Sequence, residues 1–167
     1  MRIIKVISYS ITLGIMALIF FFSSQSRSES SALSSGLIQS FLNFIPVFSF
    51  MTEADKIEVA EELSFIVRKT AHFVIYASLG ASSLWSARLL FGKCYKTTAV
   101  YAFSFCVLYA ISDEVHQMFV MGRGPQLRDV CIDSVGAATG IAIIVIIIRI
   151  TKVIRGLRYS KPTEGSR

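Results

Sequence analysis

Charge is what this sequence has least of. Lys, Arg, Asp and Glu make up only 17% of its 167 residues, where a soluble domain carries roughly 25%. That deficit points away from a soluble domain and makes lipid the main solvent of the folded chain. Cysteine is sparse as well. Cys94, Cys106 and Cys131 are odd in number, scattered and without a CxxC pair, so neither a disulfide framework nor a thiolate zinc site is supported. No HExxH or other dedicated metal motif occurs, and no internal repeat is present.

Apolar residues are abundant instead, at 53% of the chain with a mean hydropathy of +0.61. A helix crossing a hydrocarbon core needs about 20 mostly apolar residues. Four stretches meet this: 6–22, 70–87, 98–121 and 132–148. The expected fold is therefore all-α, a polytopic membrane protein with about four transmembrane helices. Residues 1–167 read as a single membrane domain whose end, 149–167, is a basic tail. Arg2 and Lys5 before the first apolar run also suit a cleaved signal peptide. That run exceeds the usual h-region of about 7–15 residues and no A-x-A site follows it, so an uncleaved anchor is expected.

The formal charge of +6 reports topology and speaks against nucleic-acid binding. With four spans, eleven of the Lys and Arg residues fall on the side of the termini and of the loop near residue 93, and six on the other. The first side has one acid, Glu164, and the second has ten. The positive-inside rule then places both termini in the cytoplasm. The outer loop, 23–67, divides into three. Residues 23–35 hold eight serines and read as a solvated linker. Residues 37–51 are apolar but short and broken by Pro46, which suits an interfacial or re-entrant segment. Thr52, with Glu53 and Asp55 behind it, starts a short amphipathic helix, separate from the second span or running straight into it, with Ile57, Ala60, Leu63 and Val67 on one stripe.

The polar residues inside the spans carry the functional signal. Arg68, His72, Tyr76 and Gly80 recur every four residues and share one helical face, with His72 one turn, about 6 Å, below Arg68. Asp113, His116 and Gln117 recur at three and four, beside Glu114. A charge within a span costs roughly 2.5–3.5 kcal/mol, so this run requires partners. After a Gly122-Arg123-Gly124-Pro125 turn come Arg128, Asp129 and Asp133, with Gly136 and Gly140 allowing close helix approach. Three helices thus place ionisable groups at one depth, on the outer side. Arg68, Lys69, Arg123 and Arg128 would ring the mouth of a polar cavity. His72, Tyr76, Asp113, Glu114, His116, Gln117, Asp129 and Asp133 would line it. Basic groups at the rim suit an anionic headgroup such as a phosphate.

These motifs resemble the VanZ-like family. The matching residues are Arg68-Lys69-x-x-His72-Phe73-x-x-Tyr76, Ser112-Asp113-Glu114-x-His116-Gln117, Gly122-Arg123 and Arg128-Asp129-x-x-x-Asp133-x-x-Gly136, together with Phe22-Ser23-Ser24-Gln25-Ser26. Met121 stands where a proline often precedes the Gly-Arg pair. The resemblance implies an integral protein of the bacterial cell membrane. It also implies a tie to susceptibility to teicoplanin, a glycopeptide with a lipid tail. The expected partners are membrane lipids, an anionic envelope lipid or a lipoglycopeptide among them. No cofactor is required for that role. The alternative is a metal-dependent lipid hydrolase or headgroup transferase, with a divalent metal on His72, Asp113, His116 and Asp133 and Glu114 as general base. A purely structural polar network is the third reading.

Overall fold

A computed structural model describes residues 2–92 and 94–159, with the side chains of 156–159 left aside. The described residues form α-helices and one 3-10 turn, with no strand among them. The helices are α1 (Arg2–Ser23), α2 (Arg27–Phe44), α3 (Glu53–Phe91), α4 (Tyr95–Gln117) and α5 (Leu127–Tyr159), with the 3-10 turn at Pro46–Phe48. Four of them, α1, α3, α4 and α5, are long and apolar enough to cross a bilayer. This follows from their solvent, since a backbone in hydrocarbon must satisfy its own N–H and C=O groups within the segment.

The outer loop departs from the sequence reading. The serine-rich stretch is helical from Arg27, because Ser26 and Glu29 form a capping box: the Glu29 N–H donates to Ser26 Oγ and the Ser26 N–H to Glu29 Oε2. The apolar segment 37–51 is not a separate re-entrant piece. Most of it is the second half of α2, and the chain turns back only at Pro46–Phe48. Thr52 caps the next helix as expected, with Asp55 completing its box. That helix is not short. It continues without a break into the second span and ends 39 residues later, at Phe91, where Gly92 takes the left-handed conformation (φ +57°).

At 1.5 Å per residue α3 is about 58 Å long, nearly twice the ~30 Å of a hydrocarbon core. It is long enough to cross with many residues to spare, and α2 folds antiparallel onto its first part. Ile38 and Leu42 of α2 pack with Ala60 of α3. Lys56 Nζ ties the hairpin by donating to Asn43 Oδ1 and Glu53 Oε1, both at 2.8 Å.

The bundle turns on the seam between α3 and α5. A side chain at Gly136 would meet the carbonyl oxygen of Phe73 at 2.5 Å, and one at Gly140 would run into that of Ala77. From the other side, a Cβ at Gly80 would collide with the Ala137 carbonyl. The two backbones are in contact, as small-residue seams in lipid allow. Ile19 of α1, Tyr76 and Leu79 of α3, and Cys106 and Ala110 of α4 close around Ala137 to form the central core. The third span is shorter than its apolar run, since α4 stops at Gln117 and residues 118–126 form a turn-rich loop.

Candidate functional site

The polar residues collect at the end of the bundle where α1 and α4 finish and α5 begins, with α3 passing through. The floor is made by three helices. His72 of α3, Asp113 of α4 and Asp133 of α5 each offer a ligating atom, and these atoms lie within 4.8 Å of one another. His72 Nδ1 stands 3.6 Å from Asp133 Oδ1. Asp113 is held from behind: its Oδ2 accepts from Ser23 Oγ at 2.8 Å and from Gln117 Nε2 at 3.1 Å. Asp133 is 1% exposed, and neither of its oxygens has a hydrogen-bond partner among the described residues. The Tyr76 hydroxyl, one turn deeper on α3, is likewise buried and unpartnered.

Above the floor is a small polar cavity of about 40 Å³. Arg27, Arg68, Lys69 and Arg123 supply its cations and Asp129 its carboxylate, with His72 and Gln117 below. Lys69 is paired with Asp129, and Arg68 Nη1 donates to Ser31 Oγ at 3.0 Å. Arg123 has a buried guanidinium nitrogen, Nη2, with no partner among the described residues. Burial above all, and then the nearby Arg68, push the Arg123 pKa below its ordinary value, against the pull of Asp113, Glu114 and Asp129. Phe65 stands amid three cations, with Arg128 at 5.1 Å, Lys69 at 5.4 Å and Arg68 at 5.9 Å from its ring centroid.

The loop carrying Arg123 is pinned on both sides. Gly122 adopts φ +73°, a conformation that favours glycine. The Gln126 N–H donates to Glu114 Oε2 at 2.8 Å, and the Arg27 N–H donates to the Met121 carbonyl at 3.5 Å. Glu114 thus positions the loop, while its other oxygen is buried and unpartnered. Beside the polar cavity, α1, α2 and α3 enclose an apolar cleft of about 190 Å³ lined by Ile19, Phe22, Leu33, Leu37, Val67 and Ile75. Arg68 and His72 line both spaces.

Most of the residues singled out in the sequence therefore meet, but His116 does not join them. Its ring stacks on Phe20 of α1 with centroids 4.5 Å apart, and its Nε2 pairs with Ser24 Oγ at 3.1 Å. The ligating set narrows to His72, Asp113 and Asp133. Arg128 lies over Phe65 and does not line the cavity itself. The sequence reading assigned no role to Ser23, Arg27, Phe65 or Gln126. Ser23 was within reach of it, since the Phe22–Ser26 stretch already carried the family resemblance.

A family model described as VanZ/LLP1 matches residues 8–149. The chain belongs to the VanZ/LLP1 family. The match takes in every residue of the floor and the mouth, and it confirms the resemblance drawn from the motifs. No curated protein and no solved structure matches the chain. The chemistry of this VanZ/LLP1 site thus rests on its own geometry.

Proposed function

We propose that this VanZ/LLP1 membrane protein binds an anionic amphiphile of the bacterial cell envelope. The headgroup would occupy the cationic cavity and the tail the adjoining cleft. The observation that carries this reading is the sharing of Arg68 and His72 by a polar, cation-lined cavity and an apolar cleft. A ligand spanning both must be charged at one end and oily at the other. Arg123 supports an anion in particular, because its unpartnered nitrogen is buried and a guanidinium holds phosphate or carboxylate through paired hydrogen bonds. With the charge asymmetry of the loops, the site opens on the outer face of the membrane. A protein that holds envelope amphiphiles there would alter susceptibility to a lipid-tailed glycopeptide such as teicoplanin without catalysing any reaction.

Native mass spectrometry of the detergent-purified protein with dioleoyl phosphatidic acid and dioleoyl phosphatidylcholine tests the reading. The wild type should prefer the phosphatidic acid by about tenfold or more, the worth of a hydrogen bond to a charged group. Arg123→Ala should erase that preference. Ala71 also lines the cleft, so Ala71→Trp, which fills it, should weaken both lipids alike. Equal retention of the two lipids by the wild type would remove the headgroup half of the proposal, and an indifferent Ala71→Trp the tail half.

A further inference from the structure

We infer that the floor of the cavity is a divalent-cation site, with His72, Asp113 and Asp133 as its protein ligands and Zn²⁺ or Mn²⁺ as the kind of ion it takes. The inference goes beyond the amphiphile reading and does not depend on it, since it concerns the groups beneath the cationic mouth.

Three helices bring one imidazole and two carboxylates to a point, with ligating atoms within 4.8 Å of one another. Ligands at about 2.1 Å from a common ion stand roughly 3–4 Å apart, so closing on one requires side-chain shifts of less than about 1 Å. Two independent features mark the cluster as a ligand site and not a chance meeting of acids. Asp133 is 1% exposed, and both its oxygens lack a hydrogen-bond partner among the described residues. A carboxylate in that condition is badly solvated unless a cation sits against it. His72 Nδ1 stands 3.6 Å from one of the Asp133 oxygens, and Lys69 is already committed to Asp129. Asp113, meanwhile, is oriented as a metal ligand usually is, by hydrogen bonds from residues outside the ligating set. Ser23 Oγ and Gln117 Nε2 both donate to Oδ2, and neither bond uses Oδ1.

Charge points the same way. In the form that ligates a metal, two carboxylates and an imidazole would sum to −2, which a divalent ion cancels. The mixed donor set favours a first-row transition metal or Zn²⁺ over Ca²⁺, which takes oxygen ligands alone. Three protein ligands also leave positions open toward the cavity, as in metal sites that exchange a fourth ligand.

The test uses full-length protein in detergent, stripped with chelator and free of added lipid. Mn²⁺ is titrated in, free ion is read from its electron paramagnetic resonance signal, and Zn²⁺ serves as the competitor. One Mn²⁺ per chain, displaced by Zn²⁺, is expected. Asp133→Asn should weaken binding at least about 100-fold. Ser23→Ala, which leaves all three ligands in place and only unties Asp113, should weaken it about tenfold. His116→Gln lies outside the cluster and should bind as the wild type does. Absence of stoichiometric binding to the wild type overturns the inference, whatever the variants do. So does wild-type affinity in Asp133→Asn, or a loss in His116→Gln equal to that in Ser23→Ala. None of these results bears on lipid preference, so the amphiphile reading can fail alone.

Discussion

The two ends of the α3/α5 pair both carry charge, yet they are built to opposite plans. At one end acids are sunk into the bundle: Asp113, Glu114 and Asp133 are 4%, 5% and 1% exposed. At the other, Arg88 and Lys152 hold their charges over the ring of Tyr95, at 3.7 Å and 4.7 Å from its centroid, and no Asp or Glu is buried there among the described residues. A cation against an exposed ring gains about 0.5–1 kcal/mol, whereas a buried charge without a partner costs several. The cation end is what a membrane anchor needs. The acid end is costly to fold unless its charges find partners, and this asymmetry is why the site is proposed there.

The largest effect is expected where the two ends are joined. Gly140→Leu would force a side chain through the Ala77 carbonyl and separate α3 from α5, since neither backbone can yield. A loss beyond the 1–3 kcal/mol usual for overpacking is expected, seen as failure to elute as a single species on size exclusion. Gly14→Leu, on α1 with nothing within 4 Å of its would-be side chain, should remain folded. Equal damage from both would mean that glycine is needed for something other than the seam.

Next come the floor residues. His72→Ala, Asp113→Asn and Asp133→Asn should each abolish an amphiphile-susceptibility phenotype, and any two together should be little worse than one, because residues of one network act non-additively. Truncating one partner of a buried pair can cost about 3–5 kcal/mol, so melting curves belong beside each phenotype. Phenotype lost only in step with folded protein would support the structural network instead. His116→Ala sharpens the boundary of the site: with its ring on Phe20, it should keep the phenotype and lower stability by only about 1 kcal/mol.

The position of His116 shows where the sequence stopped being readable. Along a helix a step of three residues turns about 300° and a step of four about 400°. From Asp113, His116 and Gln117 therefore lie on opposite flanks, and only contact with α1 decides which flank faces the floor. The four spans were legible because long apolar runs have no other stable home. The partnership of Ser23 with Asp113 was not, since no periodicity links residues 90 positions apart. The eight serines between residues 23 and 35 read as a linker, yet five of them fall in α2. Serine is only a moderate helix former, but it is small, and Ser30 and Ser34 are buried. The Ser26/Glu29 pair was the overlooked signal, since S-x-x-E is the pattern of a capping box.

The smallest effect belongs to the cation end. Arg88→Ala with Lys152→Ala removes both partners of Tyr95, and each exposed contact is worth only about 0.5–1 kcal/mol. The melting temperature should fall by a few degrees and the phenotype should persist. Orientation should persist too. Eleven Lys and Arg residues on that side become nine, still ahead of the six opposite, and the positive-inside rule counts the difference. Cysteine labelling with an impermeant reagent reads this directly. Native Cys94 is exposed and reports that end. Ser28→Cys reports the other, and is a better choice than Ser30, which is buried. Cys106 and Cys131 are replaced by serine to silence them. Intact cells should label position 28 and spare position 94, in the parent and in the doubly neutralised protein alike. Labelling of position 94 in the parent would put the acidic floor on the inner face, and the amphiphile would then have to come from the cytoplasmic leaflet. A reversal only in the neutralised protein would make Arg88 and Lys152 the deciding topological charges, with nine against six too narrow a margin. A phenotype lost with orientation and expression unchanged would contradict the contrast itself, because the anchoring end would then share in the function.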